Sequence, residues 1–257
     1  MAELEAVGDI LGSKSFSEKL AEIHERHQAA SAQMTSTGAN QKTKPTDGEA
    51  ARVQKEQESR LETAGIRRRF VDVTFDSIEE HGLPQDMMIR RNYEQVKKYV
   101  EHLDEEVRAG HGIIMAGGYG TMKTTFAIAI LREWLDMKET NYGLFVPMCS
   151  LIDRLFTLRD LNRQECSEYD KRIRSTPLLI LDDLGGEDTD KKWVLAKVDS
   201  IITDRYNDNL ATIVTTNFDK NALMGTYSGR IMDRLRSTSY FMAFGDGSQR
   251  QPLQMAW

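Results

Sequence analysis

A short stretch near the middle of the chain carries residues of the types that bind phosphate groups. In GGYGTMKTT, residues 117–125, a glycine, a lysine and a threonine have the spacing of the pattern G-x-x-x-x-G-K-[ST]. In such a loop the backbone N–H groups and the lysine bind phosphates, and the threonine hydroxyl binds Mg²⁺. The sequence therefore predicts a nucleotide site formed by Gly117, Gly118, Tyr119, Gly120, Thr121, Met122, Lys123, Thr124 and Thr125.

One position departs from this pattern, since Met122 stands where the second glycine is usual. Methionine keeps the backbone N–H that a phosphate needs, but its side chain narrows the accessible range of φ and ψ. The loop is thus open to three interpretations: a working site, a decayed site or a chance match. Because Lys123 and Thr124 are intact, we expect Met122 to lower affinity or turnover without abolishing nucleotide binding.

Two adjacent carboxylates follow the apolar run LLIL further along the chain. A buried carboxylate is costly unless it meets a cation. The pair therefore predicts that Asp182 holds Mg²⁺ and that Asp183 orients or deprotonates an attacking water. Two aspartates after a strand can also form a turn or a helix cap. The phosphate-binding pattern upstream favours the catalytic interpretation.

Further polar residues lie downstream of these carboxylates. A fourth apolar run ends in Thr215, Thr216 and Asn217, which can contact a phosphate or a water. The stretch SGRIMDRLRS places Arg230 and Arg234 four residues apart on one helical face, and Arg250 lies near the C-terminus. Such arginines are most often solvated surface residues. In an oligomer, however, an arginine of one subunit can complete the site of its neighbour.

The elements that position these residues alternate regularly. Short apolar runs predict strands at residues 112–116, 142–147, 177–183 and 211–217. Helices are predicted from Thr124, from a cap at Ser150, and from about Lys191 to Asp208. Such alternation predicts an α/β fold with a parallel sheet covered by helices on both faces.

The first part of the chain has a different pattern. Two short amphipathic helices are predicted from apolar stripes, one of Leu4, Val7 and Leu11 and one of Phe16, Leu20 and Ile23. A polar linker follows at residues 33–48, and a third helix is predicted from Thr46 to Gly65. Because such short helices cannot form a robust domain, their stripes either dock on a partner or pack on the rest of the chain.

Composition limits the classes of function. The 257 residues carry a formal net charge of −6, which argues against a uniformly basic surface for nucleic acid but not against a local basic patch. The sequence has no apolar run long enough to cross a membrane, and its N-terminus is acidic where a signal peptide is basic. The two cysteines suggest neither a disulfide framework nor a zinc site. We expect a cytoplasmic protein without membrane contacts.

Taken together, these motifs resemble the AAA+ helicase loaders of the DnaC and DnaI type, with the related IstB transposition ATPases. The resemblance runs from about residue 64 to residue 250 and rests on the phosphate loop, Asp182-Asp183-Leu184-Gly185, Thr216-Asn217 and GRIMDRLRS. It implies an AAA+ P-loop NTPase core over residues 64–257, with a parallel sheet sandwiched by helices. Residues 1–63 would form a small helical extension and linker that bind a helicase.

The resemblance also implies partners and roles. It implies an ATPase that uses ATP and Mg²⁺, with Thr216 and Asn217 similar to the sensor 1 residues. Arg230 or Arg234 would be the arginine finger, and Arg250 is similar to the sensor 2 arginine. The implied partners are a DnaB-type hexameric replicative helicase, single-stranded DNA, and further copies of this chain, up to six on the helicase. An IstB-like transposition helper and a non-hydrolysing nucleotide-binding adaptor remain alternatives.

Contact with single-stranded DNA would need a positive groove, often with aromatic side chains. The basic groups that could supply it are Arg67–Arg69, Lys97-Lys98, Lys171-Arg172-Arg174 and Lys191-Lys192. Charged groups of this kind are more often solvated surface. The sequence does not place them on one face.

Overall fold

The computed structural model describes residues 47–187 and 189–250. Its helices are α1 (Asp47–Thr63), α2 (Phe75–His81), α3 (Met87–Glu101), α4 (Leu103–Arg108), α5 (Lys123–Met137), α6 (Met148–Leu161), α7 (Arg163–Ser175), α8 (Lys192–Asn207), α9 (Lys220–Thr226) and α10 (Gly229–Thr238). Its strands are β1 (Gly112–Ala116), β2 (Gly143–Pro147), β3 (Leu178–Asp182), β4 (Ala211–Thr216) and β5 (Ser239–Ala243). The two helices predicted within residues 1–30 lie outside the described residues.

The five strands form one parallel sheet in the order β2-β3-β4-β1-β5. β1, β3 and β4 consist almost entirely of buried residues. Strands of this kind belong in a sheet covered on both faces. The predicted parallel α/β fold is thereby confirmed.

Two hydrophobic clusters cover the two faces of the sheet. On one face Ile113 and Met115 of β1 pack with residues of α3 and α5, including Tyr93 and Phe126. On the other face Ile114 of the same strand packs with residues of α6, α8 and α10. Because successive side chains of a strand point to opposite faces, the run Ile113-Ile114-Met115 serves both layers. The result is a three-layer sandwich with helices on each side.

Three sequence-based predictions need correction or completion. The helix after β2 begins at Met148 and not after a cap at Ser150, because Pro147 ends the strand and is itself the N-cap residue, with φ of −63°. The fifth strand and the helices α2, α3, α4, α7 and α9 were not predicted. The third predicted helix is present as α1, whose last turn contacts the body of the fold.

That contact bears on the predicted division between residues 1–63 and 64–257. Leu61 is buried in the first hydrophobic cluster, and Arg60 donates hydrogen bonds to the carbonyls of Leu135, Lys138 and Asn141. The N–H of Phe145 in β2 donates to the carbonyl of Ala64 at 2.8 Å. The division stays a prediction, but the end of α1 is packed against the sheet.

None of the helices within residues 47–187 and 189–250 has both the length and the apolar character of a membrane crossing.

Candidate functional site

The phosphate-binding motif forms a loop between β1 and α5. β1 ends at Ala116, and α5 begins at Lys123. Gly117 has φ of +149°, and a Cβ there would lie 2.0 Å from the carbonyl oxygen of Phe244, so only glycine fits. The first turn of α5 directs its free N–H groups and the positive end of its dipole toward this loop. The local geometry is that of an anion-binding helix start.

Met122, the departure from the pattern, has left-handed backbone with φ of +71° and ψ of +7°. A residue other than glycine in this region pays about 1 kcal/mol or more, because its Cβ approaches the following carbonyl. The side chain of Met122 packs against the first hydrophobic cluster, which offsets part of that cost. The chain thus keeps the backbone conformation that glycine would adopt freely.

Lys123 lies at the centre of the loop and is only 6% exposed. Its Nζ donates to the carbonyls of Gly117 at 2.9 Å and Gly118 at 2.6 Å, and to Oδ1 of Asn217 at 3.1 Å. Burial lowers the pKa of Lys123, and the neighbouring carboxylates of Asp182 and Asp183 oppose that shift. The lysine therefore connects the phosphate loop to the end of β4.

Asp182, the last residue of β3, lies beside the first turn of α5. Its Oδ1 accepts hydrogen bonds from the hydroxyls of Thr124 and Thr215, each at 2.7 Å. Burial raises the pKa of Asp182 despite these two hydrogen bonds. A buried carboxylate beside a hydroxyl is a donor set that suits Mg²⁺, which binds through few protein oxygens and keeps waters and phosphate oxygens. The residues present fit that ion.

Asp183 and Asn217 form the other side of the site. Asp183 has φ of +60°, and its backbone N–H donates to the Thr215 hydroxyl at 2.9 Å. The side-chain amide of Asn217 donates to Oδ1 of Asp183 while its oxygen accepts from Lys123. Backbone in this left-handed region is strained for a residue other than glycine, so the surrounding contacts must hold Asp183 there. Such strained residues are common at functional sites. The arrangement turns Asp183 away from the strand and toward Asn217.

The three polar residues at the end of β4 thus have separate contacts. Thr215 holds both aspartates, and Asn217 links Asp183 to Lys123. Thr216 is fully buried, and its hydroxyl donates to the carbonyl of Leu184 at 2.6 Å. Thr216 therefore supports the turn after β3. The sequence predicted that Thr215 contacts a phosphate or a water, and its hydrogen bonds to the two aspartates were not predicted. The signal for them was a polar side chain within a buried strand.

Arg250 approaches the same loop through the segment after β5. The carbonyl of Gly245 accepts from the N–H of Gly118 at 3.1 Å, and the N–H of Gln249 donates to the carbonyl of Gly120 at 2.9 Å. The charge of Arg250 is near enough to lower the pKa of Lys123. Pairing of β5 with β1 brings this segment to the loop.

Arg230 and Arg234 lie on α10, as predicted, and contact α8 of their own chain. Arg230 is 3.4 Å from a carboxylate oxygen of Asp199 and largely exposed, whereas Arg234 is 3.6 Å from that carboxylate and donates to the Thr203 hydroxyl. Within the described residues, neither arginine has a hydrogen bond or ion pair with the phosphate loop. The structure does not bring them into their own chain's site.

Several of the basic groups considered for DNA have partners within the chain. Arg174 pairs with Asp170 and Asp204, and Lys97 pairs with Glu79. Arg172 donates to the carbonyl of Thr63. These contacts do not define one basic groove.

The chain is similar to known replication proteins. No family model matches the chain. The chain is 26% identical over 180 residues to the replicative helicase loader DnaI of Bacillus subtilis (strain 168). The aligned region covers 69% of this chain and 55% of that protein. The chain therefore spans about half the length of this curated relative.

Solved structures show the same fold. A crystal structure of the DnaC helicase loader matches with a TM-score of 0.61 and 24% identity, over 69% of this chain and 99% of that one. The chain has an α/β P-loop NTPase-like fold, which it shares with this DnaC structure. The replication initiator DnaA bound to AMPPCP and single-stranded DNA matches with a TM-score of 0.53 and 17% identity, over 69% of this chain and 50% of that one. The predicted resemblance to DnaC- and DnaI-type loaders is confirmed.

Proposed function

We propose that this chain is an ATP-dependent helicase loader, which binds a DnaB-type hexameric replicative helicase and delivers it to single-stranded DNA in the cytoplasm. One observation carries the proposal: the phosphate loop, the aspartate pair and Asn217 meet at one edge of an AAA+ sheet. The similarity to the DnaI loader supports the assignment of that site to helicase loading.

ATP would bind with its phosphates at the start of α5. The loop N–H groups and Lys123 supply the positive field, and the lysine would exchange its present carbonyl partners for phosphate oxygens. The AMPPCP-bound DnaA structure, which shares this fold, supports nucleotide as the ligand class. Arg250 would add positive charge near the same phosphates, since the N–H of Gln249 beside it donates to the carbonyl of Gly120 in the loop.

Thr124 and Asp182 would hold Mg²⁺, which would neutralise charge on the phosphates and on the buried carboxylate. Asp183 would accept a hydrogen bond from the attacking water and orient it toward the terminal phosphate. Asn217 keeps Asp183 and Lys123 in a fixed relation, so it would sense whether that phosphate is present. The reaction is the hydrolysis of ATP by water to ADP and phosphate.

Oligomerisation would complete the site. Arg230 and Arg234 have partners on α8 and lie outside their own chain's site, which supports a role for one of them at the site of a neighbouring subunit. Several copies of the chain, up to six, would then assemble on the helicase. ATP binding would order this assembly, and hydrolysis would release it.

Residues 1–63 would provide the helicase contact through two stripes, one of Leu4, Val7 and Leu11 and one of Phe16, Leu20 and Ile23. Burying these side chains on a partner supplies several kcal/mol, at roughly 1.5 to 3 kcal/mol each before ordering costs. Because the end of α1 packs against the sheet, substitutions in the full chain test this better than removal of all 63 residues.

The test is co-purification of the full chain with a DnaB-type helicase. The double variant Phe16→Asp, Leu20→Asp should lose capture while it binds nucleotide as before. The matched control Ser17→Asp, Ala21→Asp places the same charges one residue further along the same predicted helix and should retain capture. Undiminished capture by the first variant would contradict the proposed contact. Capture of a transposase in place of the helicase would favour the IstB-like alternative.

A further inference from the structure

Glu187 lies in the turn after β3, five residues beyond Asp182. An acidic residue so near a nucleotide site is a natural candidate to orient the attacking water. The structure gives it another set of contacts: Glu187 is only 6% exposed, and its Oε2 accepts from the N–H of Gly185 at 2.8 Å. Its Oε1 accepts from the hydroxyl of Tyr227. Both carboxylate oxygens thus have partners within the protein, away from the phosphate loop.

Tyr227 connects this carboxylate to the helix that carries the arginines. Its ring is 3% exposed and packs in the second hydrophobic cluster, at the end of α9. The next residue, Ser228, caps α10 by accepting from the N–H of Ile231 at 3.3 Å. Burial, and then the hydrogen bond to Glu187, raise the pKa of Tyr227, so its hydroxyl remains a proton donor. Tyr227 therefore fixes the point where α10 begins.

The other end of the contact reaches Asp183. The N–H of Gly186 donates to the carbonyl of Asp183 at 2.8 Å, and the N–H of Leu184 donates to the carbonyl of Thr215 at 2.8 Å. The bonds from Gly186 to Asp183 and from Gly185 to Glu187 close a tight turn over residues 183–187, and the bond from Leu184 joins this turn to β4. Asp183, the first residue of this turn, has the positive φ described above. A displacement of the Glu187 side chain would therefore also displace Asp183.

We propose that Glu187 and Tyr227 are a pair of positioning residues that couples the Asp183 turn of a subunit to the start of its own α10. Displacement of Asp183 within the site of one subunit would then move the arginines that this subunit offers to its neighbour. The inference rests on the proposed function in one respect, the use of Arg230 or Arg234 at a neighbouring site. The linkage itself rests on the contacts of Glu187.

Hydrogen–deuterium exchange of the full chain without nucleotide tests the linkage. Tyr227→Phe removes only the hydroxyl and leaves the ring in the core. It should raise exchange about tenfold in two separate segments, residues 183–187 and the first turn of α10, because one buried hydrogen bond supports both. The phosphate loop should be unaffected.

Two further variants make that result specific. Glu187→Gln can still accept from Gly185 and donate to the tyrosine oxygen, so it should retain protection in both segments. Leu223→Ala truncates a buried neighbour on α9 and should raise exchange only in α9 and α10. Increased exchange confined to α10 in Tyr227→Phe, or none in either segment, would overturn the linkage.

Turnover measurements test the functional part. Tyr227→Phe should lower kcat at least tenfold while nucleotide affinity stays within twofold of the wild type, whereas Glu187→Gln and Leu223→Ala should keep most of kcat. A wild-type kcat in Tyr227→Phe would show that the pair is only structural and would overturn the proposal. If the wild type itself fails to hydrolyse ATP, the proposed function fails, and the exchange experiment still decides the linkage.

Discussion

At the scale of single residues, Met122 shows how a chain can depart from a motif and keep its geometry. The position requires left-handed backbone, which glycine adopts freely and methionine does not. Its side chain gains packing against the first hydrophobic cluster in return. The loop's conformation is thus specified by its surroundings more than by the residue at this position.

This balance can be measured with two substitutions. Met122→Ala loses the packing and keeps the Cβ, so it should lower the free energy of unfolding by about 1 kcal/mol. Met122→Gly loses the same packing but relieves the left-handed strain, so it should be about 1 kcal/mol more stable than Met122→Ala. Urea titrations of the three proteins measure the difference. Equal stability of the alanine and glycine variants would show that position 122 carries no backbone strain.

Glu133 gives a residue-scale prediction about pH. Burial, followed by repulsion from Asp136 and Asp76, raises its pKa to about 7, against the attraction of Arg132. Since the folded-state pKa lies above the unfolded value, the folded state binds more protons, and stability falls as pH rises from about 4.5 to 7. Glu133→Gln removes this loss, so it should raise the free energy of unfolding by about 1 to 2 kcal/mol at pH 8.

Urea titrations of the wild type and Glu133→Gln at pH 8 and pH 5 measure how the stability difference depends on pH. The gain from Glu133→Gln should shrink at the lower pH, where the folded wild type already carries a neutral side chain. A gain of the same size at both values would show that the effect is not one of ionisation.

At the level of elements, Arg205 of α8 connects its helix to the end of α7 and to the start of β4. It is 1% exposed, and its guanidinium donates to the carbonyls of Ile173 and Thr176 near the end of α7 and to the carbonyl of Ala211 at the start of β4. A further bond reaches the Thr212 hydroxyl. The planar fork of arginine can satisfy all four acceptors, and lysine cannot.

Arg205→Lys should therefore lower the free energy of unfolding by about 3 kcal/mol, because it leaves buried acceptors without donors. The control is Arg108→Lys, which alters a largely exposed ion pair with Asp104 and should change stability by less than about 0.5 kcal/mol. Equal effects of the two substitutions would contradict a structural role for Arg205.

The elements also show what the sequence could and could not predict. β1 was predicted with its observed bounds, because an apolar run lies between a glycine and the phosphate loop. β5 was missed because it follows α10 with no intervening turn residue, and because Tyr240 and Phe241 are exposed at the sheet edge. α7 was missed because Ile173 is its only buried residue among those whose side chains are described.

The candidate site, too, could be predicted only in part. The proximity of Lys123, Thr124 and Asp182 could be predicted from the sequence, because the carboxyl ends of parallel strands meet at one edge of the sheet. The approach of Arg250 could not be derived from its own neighbours in the chain, because it depends on the pairing of β5 with β1. The role of Glu187 depends likewise on the packing of α9 against the turn after β3.

At the scale of the whole molecule, the placement of Arg230 and Arg234 outside their own site predicts complementation between subunits. Subunits carrying Arg230→Ala or Arg234→Ala lack the finger but keep a nucleotide site, and Lys123→Ala subunits have the reverse defect. For one of the two arginines, turnover should return when such subunits are mixed, although each is inactive alone. Turnover assays of the mixtures check this. Failure for both arginines would argue for a site that is complete within one chain.

Titration with a fluorescent ATP analogue and Mg²⁺ determines whether the loop of residues 117–125 is a working nucleotide site despite Met122. The full chain should bind the analogue saturably, and Lys123→Ala should bind it at least tenfold more weakly, because the buried ammonium faces the phosphates. Lys138→Ala removes the same charge from an exposed ion pair with Asp104 and should bind as the wild type does. Equal affinity of the wild type and Lys123→Ala, or no binding by either, would show that this loop is not a nucleotide site.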